Sequence, residues 1–134
     1  MSHDSTRSIV EALFNKVGSG AELSDIASLF SDQVDWYIAG DVDTVPWIGK
    51  KTGKAGAADF YRQIREQIES LQFEINDMLI SGNRAVVLGY LESLVKRTGK
   101  VIKTEFAFDI TTHENQIIRF RMFEDSFAVA QALI

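Results

Sequence analysis

The chain has 134 residues, of which 46% are hydrophobic and 25% charged, the size and balance of one folded domain spanning residues 1–134. A formal net charge of −5 argues against a nucleic-acid partner, which needs clustered Lys and Arg, and the lack of cysteine excludes disulfides, thiolate chemistry and a Cys-based zinc site. The start MSHDSTRSIVEALF reads as neither leader nor membrane anchor, and no apolar run nears the ~20 residues that span a bilayer, so no membrane role and a cytoplasmic location are expected.

Residues 8–17 read as an amphipathic helix, with Ile9, Leu13, Phe14 and Val17 recurring at three and four residues. Gly18-Ser19-Gly20 ends it, and a second helix is expected over 21–30, folding back as a hairpin. Residues 34–38 alternate as a strand, with Val34, Trp36 and Ile38 on one face. A loop carrying Pro46 and Trp47 leads to a third helix from Gly53, with Ala57, Phe60, Ile64 and Ile68 on its apolar stripe. Its other side, Asp59, Arg62, Arg65, Glu66 and Glu69, reads as a solvated charged face.

From Leu71 the period changes to two. Leu71, Phe73 and Ile75 alternate with polar residues until the phase slips at Asp77, which suggests a bulge. Long strands follow over 84–97, 101–111 and 117–123, joined by short turns that make them antiparallel neighbours, and a last short helix covers 126–133. The order predicts an α+β fold: a cone-shaped, curved, largely antiparallel sheet with three helices on its concave face. Strand 84–97 is apolar on both sides, with Val86, Leu88, Tyr90 and Leu94 against Ala85, Val87, Leu91 and Val95. One side must face the helices; a homodimer through the outer sheet face would cover the other.

Residues 30–61 hold two Trp, two Tyr and two Phe, a density of amphipathic rings that suits the wall of a concavity. Trp36, Trp47, Phe106, Phe108, Phe120 and Met122 read either as core or as pocket lining; Trp47 favours lining, because it sits in a loop and its indole N–H needs an acceptor. Asp125 reads first as the N-cap of the last helix and second as a catalytic acid. Glu124 shares the parity of Phe120 and Met122, so it is either a solvated rim residue or a buried acid of raised pKa. Glu92, on the face of Tyr90, either ends the apolar stretch at the rim or places a carboxylate inside, with Tyr90 as a possible ligand donor. Glu105 is expected in a cross-strand ion pair, and Arg119 and Arg121 should pair with acids on neighbouring strands. His3 lies in a terminus expected to fray and His113 in a turn, so no metal site is expected. Gly49, Gly53 and Gly56 lack phosphate-loop spacing, and no Ser-His-Asp constellation is present.

The element order and the segments LFSDQVDWYIAG, VPWIGKKTGKAGAADFY and IIRFRMFED resemble the nuclear-transport-factor-2-like superfamily, and within it the SnoaL-like polyketide cyclase and ketosteroid-isomerase-like branch. The resemblance implies a deep pocket between the long helix and the inner sheet face, with Phe14, Trp36, Ile38, Trp47, Phe60, Tyr61, Tyr90, Phe106, Phe108, Phe120 and Met122 as its ligand-binding wall. Carrying over the isomerase machinery puts its phenol position at Phe14, its carboxylate position at Ile38 or Ala39, and its acid position around Phe106 to Phe108, none of which bears the group. The inward aspartate of the cyclases falls on Met122. Glu92, Glu124 and Asp125 are the remaining catalytic candidates. The readings are thus a cofactor-free isomerase, cyclase or hydrolase acting on an apolar carbonyl compound by general acid–base chemistry, a non-catalytic dimeric module binding a small apolar molecule, and an interaction domain whose hollow is filled as core.

Overall fold

A computed structural model describes residues 3–134, with side chains from Ser5 onward, so the His3 side chain lies outside the described residues. The elements are α1 (His3–Ser19), α2 (Leu23–Ala27), β1 (Phe30–Ile38), β2 (Gly49–Thr52), α3 (Gly53–Gln67), β3 (Ile68–Ser81), β4 (Arg84–Val95), β5 (Val101–His113), β6 (Gln116–Glu124) and α4 (Ser126–Ala132). They form one six-stranded sheet in the order β2-β1-β6-β5-β4-β3. Every neighbouring pair is antiparallel except β1 and β6, which run parallel.

Two local expectations give way to tertiary pairing. The second helix stops at Ala27, and the chain is already strand at Phe30. The Ile117 N–H donates to the Leu29 carbonyl at 2.8 Å and Phe30 pairs with Ile117, so β6 captures the residues that helical periodicity claimed. Residues 31–34 absorb the break in register before Asp35 meets Arg119. Strand β2 was not expected, because Gly49-Lys50-Lys51-Thr52 is too short and polar to show a period. It is a lysine-bearing edge antiparallel to β1, with Trp36 opposite Lys51. Gly53 then turns straight into α3 at φ 67°, where a Cβ would stand 2.7 Å from the Asp32 carbonyl oxygen.

Strand β3 carries two breaks in register, between Ser70 and Gln72 and between Ile75 and Asp77; the second coincides with the phase slip in the sequence. Such bulges add twist and bend, and they curve this end of the sheet. Helices α1 and α3 lie in the concavity, α2 packs on α3, and α4 packs on β5. The concave face of β4 is Ala85, Val87, Leu91 and Val95, all buried. Small residues explain why this face turns inward. Gly89 lies on it, and a Cβ there would collide with the Phe106 ring and the Glu74 carbonyl oxygen.

The convex face is mixed. Asp109 is buried and bonded by Arg84 (2.8 and 2.6 Å) and Arg119 (3.1 Å). Arg121 reaches Asp35 at 2.9 Å, so both β6 arginines pair with neighbouring acids as expected. Glu105 makes no ion pair among the described residues; Asp109, two rows away, takes both nearby guanidinium groups instead. Around these groups Leu79, Leu88 and Phe123 remain exposed.

Candidate functional site

A cavity of about 360 Å³ opens between α1, α3 and the concave face of the sheet. Helix α1 contributes Phe14, Val17 and Gly18, and α3 contributes Phe60, Tyr61, Ile64 and Arg65. Ile68, Ser70 and Phe73 of β3, Leu91 and Ser93 of β4, Phe108 of β5 and Met122 of β6 complete the wall. Phe108 meets Phe14 edge to face at 5.2 Å, and this contact links helix to sheet beside the cavity. A separate, more open depression lies between α1 and β3, with Arg7, Glu11, Asn15 and Met78 on its sides.

Five of the residues expected to form the wall border this cavity: Phe14, Phe60, Tyr61, Phe108 and Met122. Trp36, Ile38, Trp47, Phe106 and Phe120 do not; all five are buried in the core. Trp36 stacks on Phe120 with ring centroids 4.0 Å apart, and its Nε1 is buried without a partner among the described residues. Trp47 is 3% exposed although its loop position favoured lining: residues 41–48 fold back and bury Val45, Trp47 and Ile48 together. Phe106 leans over Gly89 and stacks on Phe73 at 4.9 Å.

Tyr90 and Glu92 sit on the convex face, away from the cavity, because β4 alternates and its odd-numbered side faces the helices. There the Tyr90 hydroxyl donates to Glu92 at 2.8 Å, and that bond holds the phenol above its usual range. Asp125 is the N-cap of α4: its Oδ1 accepts from the Ala128 N–H at 3.0 Å, and its own N–H donates to Thr104 Oγ1 at 2.9 Å. Glu124 alone of the three acids stands on the concave side. It pairs in register with Phe106, half-buried, and desolvation lifts its carboxyl from 4.5 to about 7.

Sequence patterning placed Tyr61 on the wall but missed the cavity's other polar groups, Arg65, Ser70 and Ser93. Arg65 was assigned to the solvated side of α3, yet it is half-buried and borders the cavity one helical turn after Tyr61. Its Nη1 donates to the Ala21 carbonyl at 2.6 Å and its Nη2 is buried without a partner among the described residues. Tyr61 is buried, which drives its phenol pKa well up, and its hydroxyl has no partner among the described residues. Ser93, buried opposite Ser70 in the β3–β4 ladder, has an equally unpartnered hydroxyl among the described residues. The signal for Arg65 was present in the Tyr61–Arg65 spacing of four. Among the described residues, no group of three His, Asp or Glu side chains is placed to hold a metal ion.

The profile of the SnoaL-like domain family matches residues 10–120 of the chain. No curated protein sequence matches it. Among solved structures, an NTF2-like protein from Burkholderia xenovorans LB400 is 25% identical, with 100% of this chain and 99% of that one aligned and a TM-score of 0.90. TerC, co-crystallised with polyporic acid, is 18% identical over 96% of this chain and 98% of its own, with a TM-score of 0.81. A protein from Jannaschia sp. CCS1, provisionally described as a SnoaL-like polyketide cyclase, is 16% identical over 97% and 92%, with a TM-score of 0.77.

Proposed function

The chain belongs to the SnoaL-like family, and from that premise we propose that its cavity takes up a small, largely apolar molecule. The observation that carries this reading is the wall itself: about 360 Å³ bounded mainly by hydrocarbon and aromatic side chains, with a few hydrogen-bond donors and no carboxylate among the described residues that border it. That volume lies in the range of small-molecule pockets, and apolar walls with sparse polar groups are their usual composition. TerC, which shares the fold, has been crystallised with a small molecule, which supports the reading.

Native mass spectrometry of gently purified protein, followed by titration with naphthalene-sized planar compounds, tests it. Saturable one-to-one binding is expected. Val17→Trp, which fills the cavity from α1, should abolish that binding while the protein stays folded. Failure of every such compound to bind would overturn the proposal.

A second reading, general acid–base catalysis on an apolar carbonyl compound, rests on Glu124. A carboxyl with a pKa near 7 can both give and take a proton at neutral pH, and Glu124 lies two residues beyond the cavity-bordering Met122 on the same face of β6. In that reading the Tyr61 hydroxyl donates to the substrate carbonyl. Glu124→Gln should then remove turnover and spare affinity; unchanged turnover would end the reading.

The exposed Leu79, Leu88 and Phe123 support a homodimer through the convex face. Sedimentation at micromolar concentration should give twice the chain mass, and Leu88→Glu should return it to one.

A further inference from the structure

The cavity wall is unbalanced in its hydrogen bonding. Arg65 Nη2, the Tyr61 hydroxyl and the Ser93 hydroxyl all belong to bordering residues, and none has a partner among the described residues. Ser70, opposite Ser93 across the ladder, adds another hydroxyl to the same wall. Among the described residues, no Asp or Glu borders the cavity to accept from them.

Arg65 differs from four of the other arginines in how its charge is met, and shares the lack of an ion pair among the described residues with Arg7 and with Arg97, which donates to the Leu133 carbonyl. Arg62, Arg84, Arg119 and Arg121 each reach a carboxylate within 3.1 Å. Arg65 forms no ion pair among the described residues, although the chain has more acids than bases. Its Nη1 is committed to the Ala21 carbonyl, tying α3 to the link between α1 and α2. Nη2 is not committed. Lys96 Nζ lies 3.3 Å from the Arg65 carbonyl oxygen, so a second cation flanks this end of α3. A half-buried guanidinium with one nitrogen buried and unbonded among the described residues, and no counter-charge there, is costly, and a planar oxyanion is the partner its geometry fits.

Resting on the reading of the cavity as a ligand site, we infer that its ligand is an apolar molecule ending in a carboxylate or similarly compact oxyanion. The charged end is held by Arg65 with Tyr61 and Ser93, and the hydrocarbon body lies against Phe108, Leu91 and Met122. Tyr61 and Arg65 stand one turn apart on α3, so one acceptor group can meet both, while Ser93 approaches from the sheet.

The test compares 2-naphthoate with 2-naphthamide, which share a skeleton and differ in charge, by calorimetric titration at pH 7. Wild type should bind the acid at least about tenfold more tightly than the amide, as expected for a charge-assisted pair in a desolvated site. Arg65→Met should reduce acid affinity about tenfold or more and leave the amide within about threefold. Equal affinities for acid and amide in wild type would overturn the inference without touching the ligand-site reading. So would an Arg65→Met variant that weakens both alike, since that result reports only the lost tie to Ala21. Binding of neither probe defeats the inference, and the ligand-site reading falls with it only when no other naphthalene-sized planar compound binds either. The wild-type comparison needs no variant, so it stands even if Arg65→Met folds poorly; Arg65→Lys, which keeps the charge, should retain part of the preference.

Discussion

Glu124 faces Phe106 across the β5–β6 ladder, and its carboxylate has neither hydrogen bond nor ion pair among the described residues. An acid on the same strand face as Phe120 and Met122 is set against hydrocarbon rather than against a cation. Desolvation therefore governs its titration, and the neutral form is favoured up to about pH 7.

This placement makes stability fall with rising pH. Between the unfolded value of 4.5 and the folded value of about 7 the native protein holds more protons than the unfolded chain. The contribution is neutral below that window, declines through it and is fully unfavourable above it. Glu124→Gln should thus gain ~1–2 kcal/mol over wild type at pH 8 and nothing at pH 4, measured by urea unfolding at both.

Asp109 shows the opposite sign. The hydrogen bond from Arg84 holds its carboxyl below the usual range, against a desolvation that pushes it up. Its stabilisation is present above the unfolded carboxylate pKa and lost as pH falls through the lower folded value. Asp109→Asn should cost ~2 kcal/mol at pH 7, because two arginines lose their acceptor, and the difference from wild type should shrink toward pH 2 in denaturant titrations.

Gly89 leaves less room for a Cβ than any other glycine of the chain, with the Glu74 carbonyl oxygen and the Phe106 ring where that atom would go. Gly89→Ala should lower stability by ~2–4 kcal/mol, since the main chain cannot yield as a side chain can. Adding Phe106→Leu should recover only part of that loss in thermal denaturation, because the carbonyl clash persists.

Tyr61→Phe separates binding from folding. The hydroxyl it removes has no partner among the described residues, so stability should be unchanged or rise by up to ~1 kcal/mol. Affinity for 2-naphthoate should fall several-fold in the same preparation. A marked loss of stability would show that the hydroxyl has a structural partner.

Asp125→Ala should cost ~1 kcal/mol in urea unfolding through the lost cap on α4, whichever reading of the cavity holds.

The sequence by itself determined the class and most of the order of elements. Alternation along 84–97 and 101–111 could only be strand, Gly18 to Gly20 had to end a helix, and the phase slip at Asp77 marked a bulge that the β3–β4 register contains. The segments that carried the family resemblance lie on β1, on the loop, β2 and α3 that follow it, and on β6. Periodicity failed where long-range pairing outweighed local preference: residues 28–30 were assigned to the second helix, but Leu29 and Phe30 are claimed by β6, and the short edge β2 exists only because β1 is beside it. It also could not decide which side of β4 looks inward, since both are apolar. Only packing against α1 and α3 turned Ala85, Val87 and Gly89 to the helices, sent Tyr90 and Glu92 outward, and closed Trp36 and Trp47 into the core. The same packing placed the uncommitted guanidinium of Arg65 beside the cavity. A hydrophobic period records which face is buried on average; it carries no information about which polar groups at the edge of that face will find a partner.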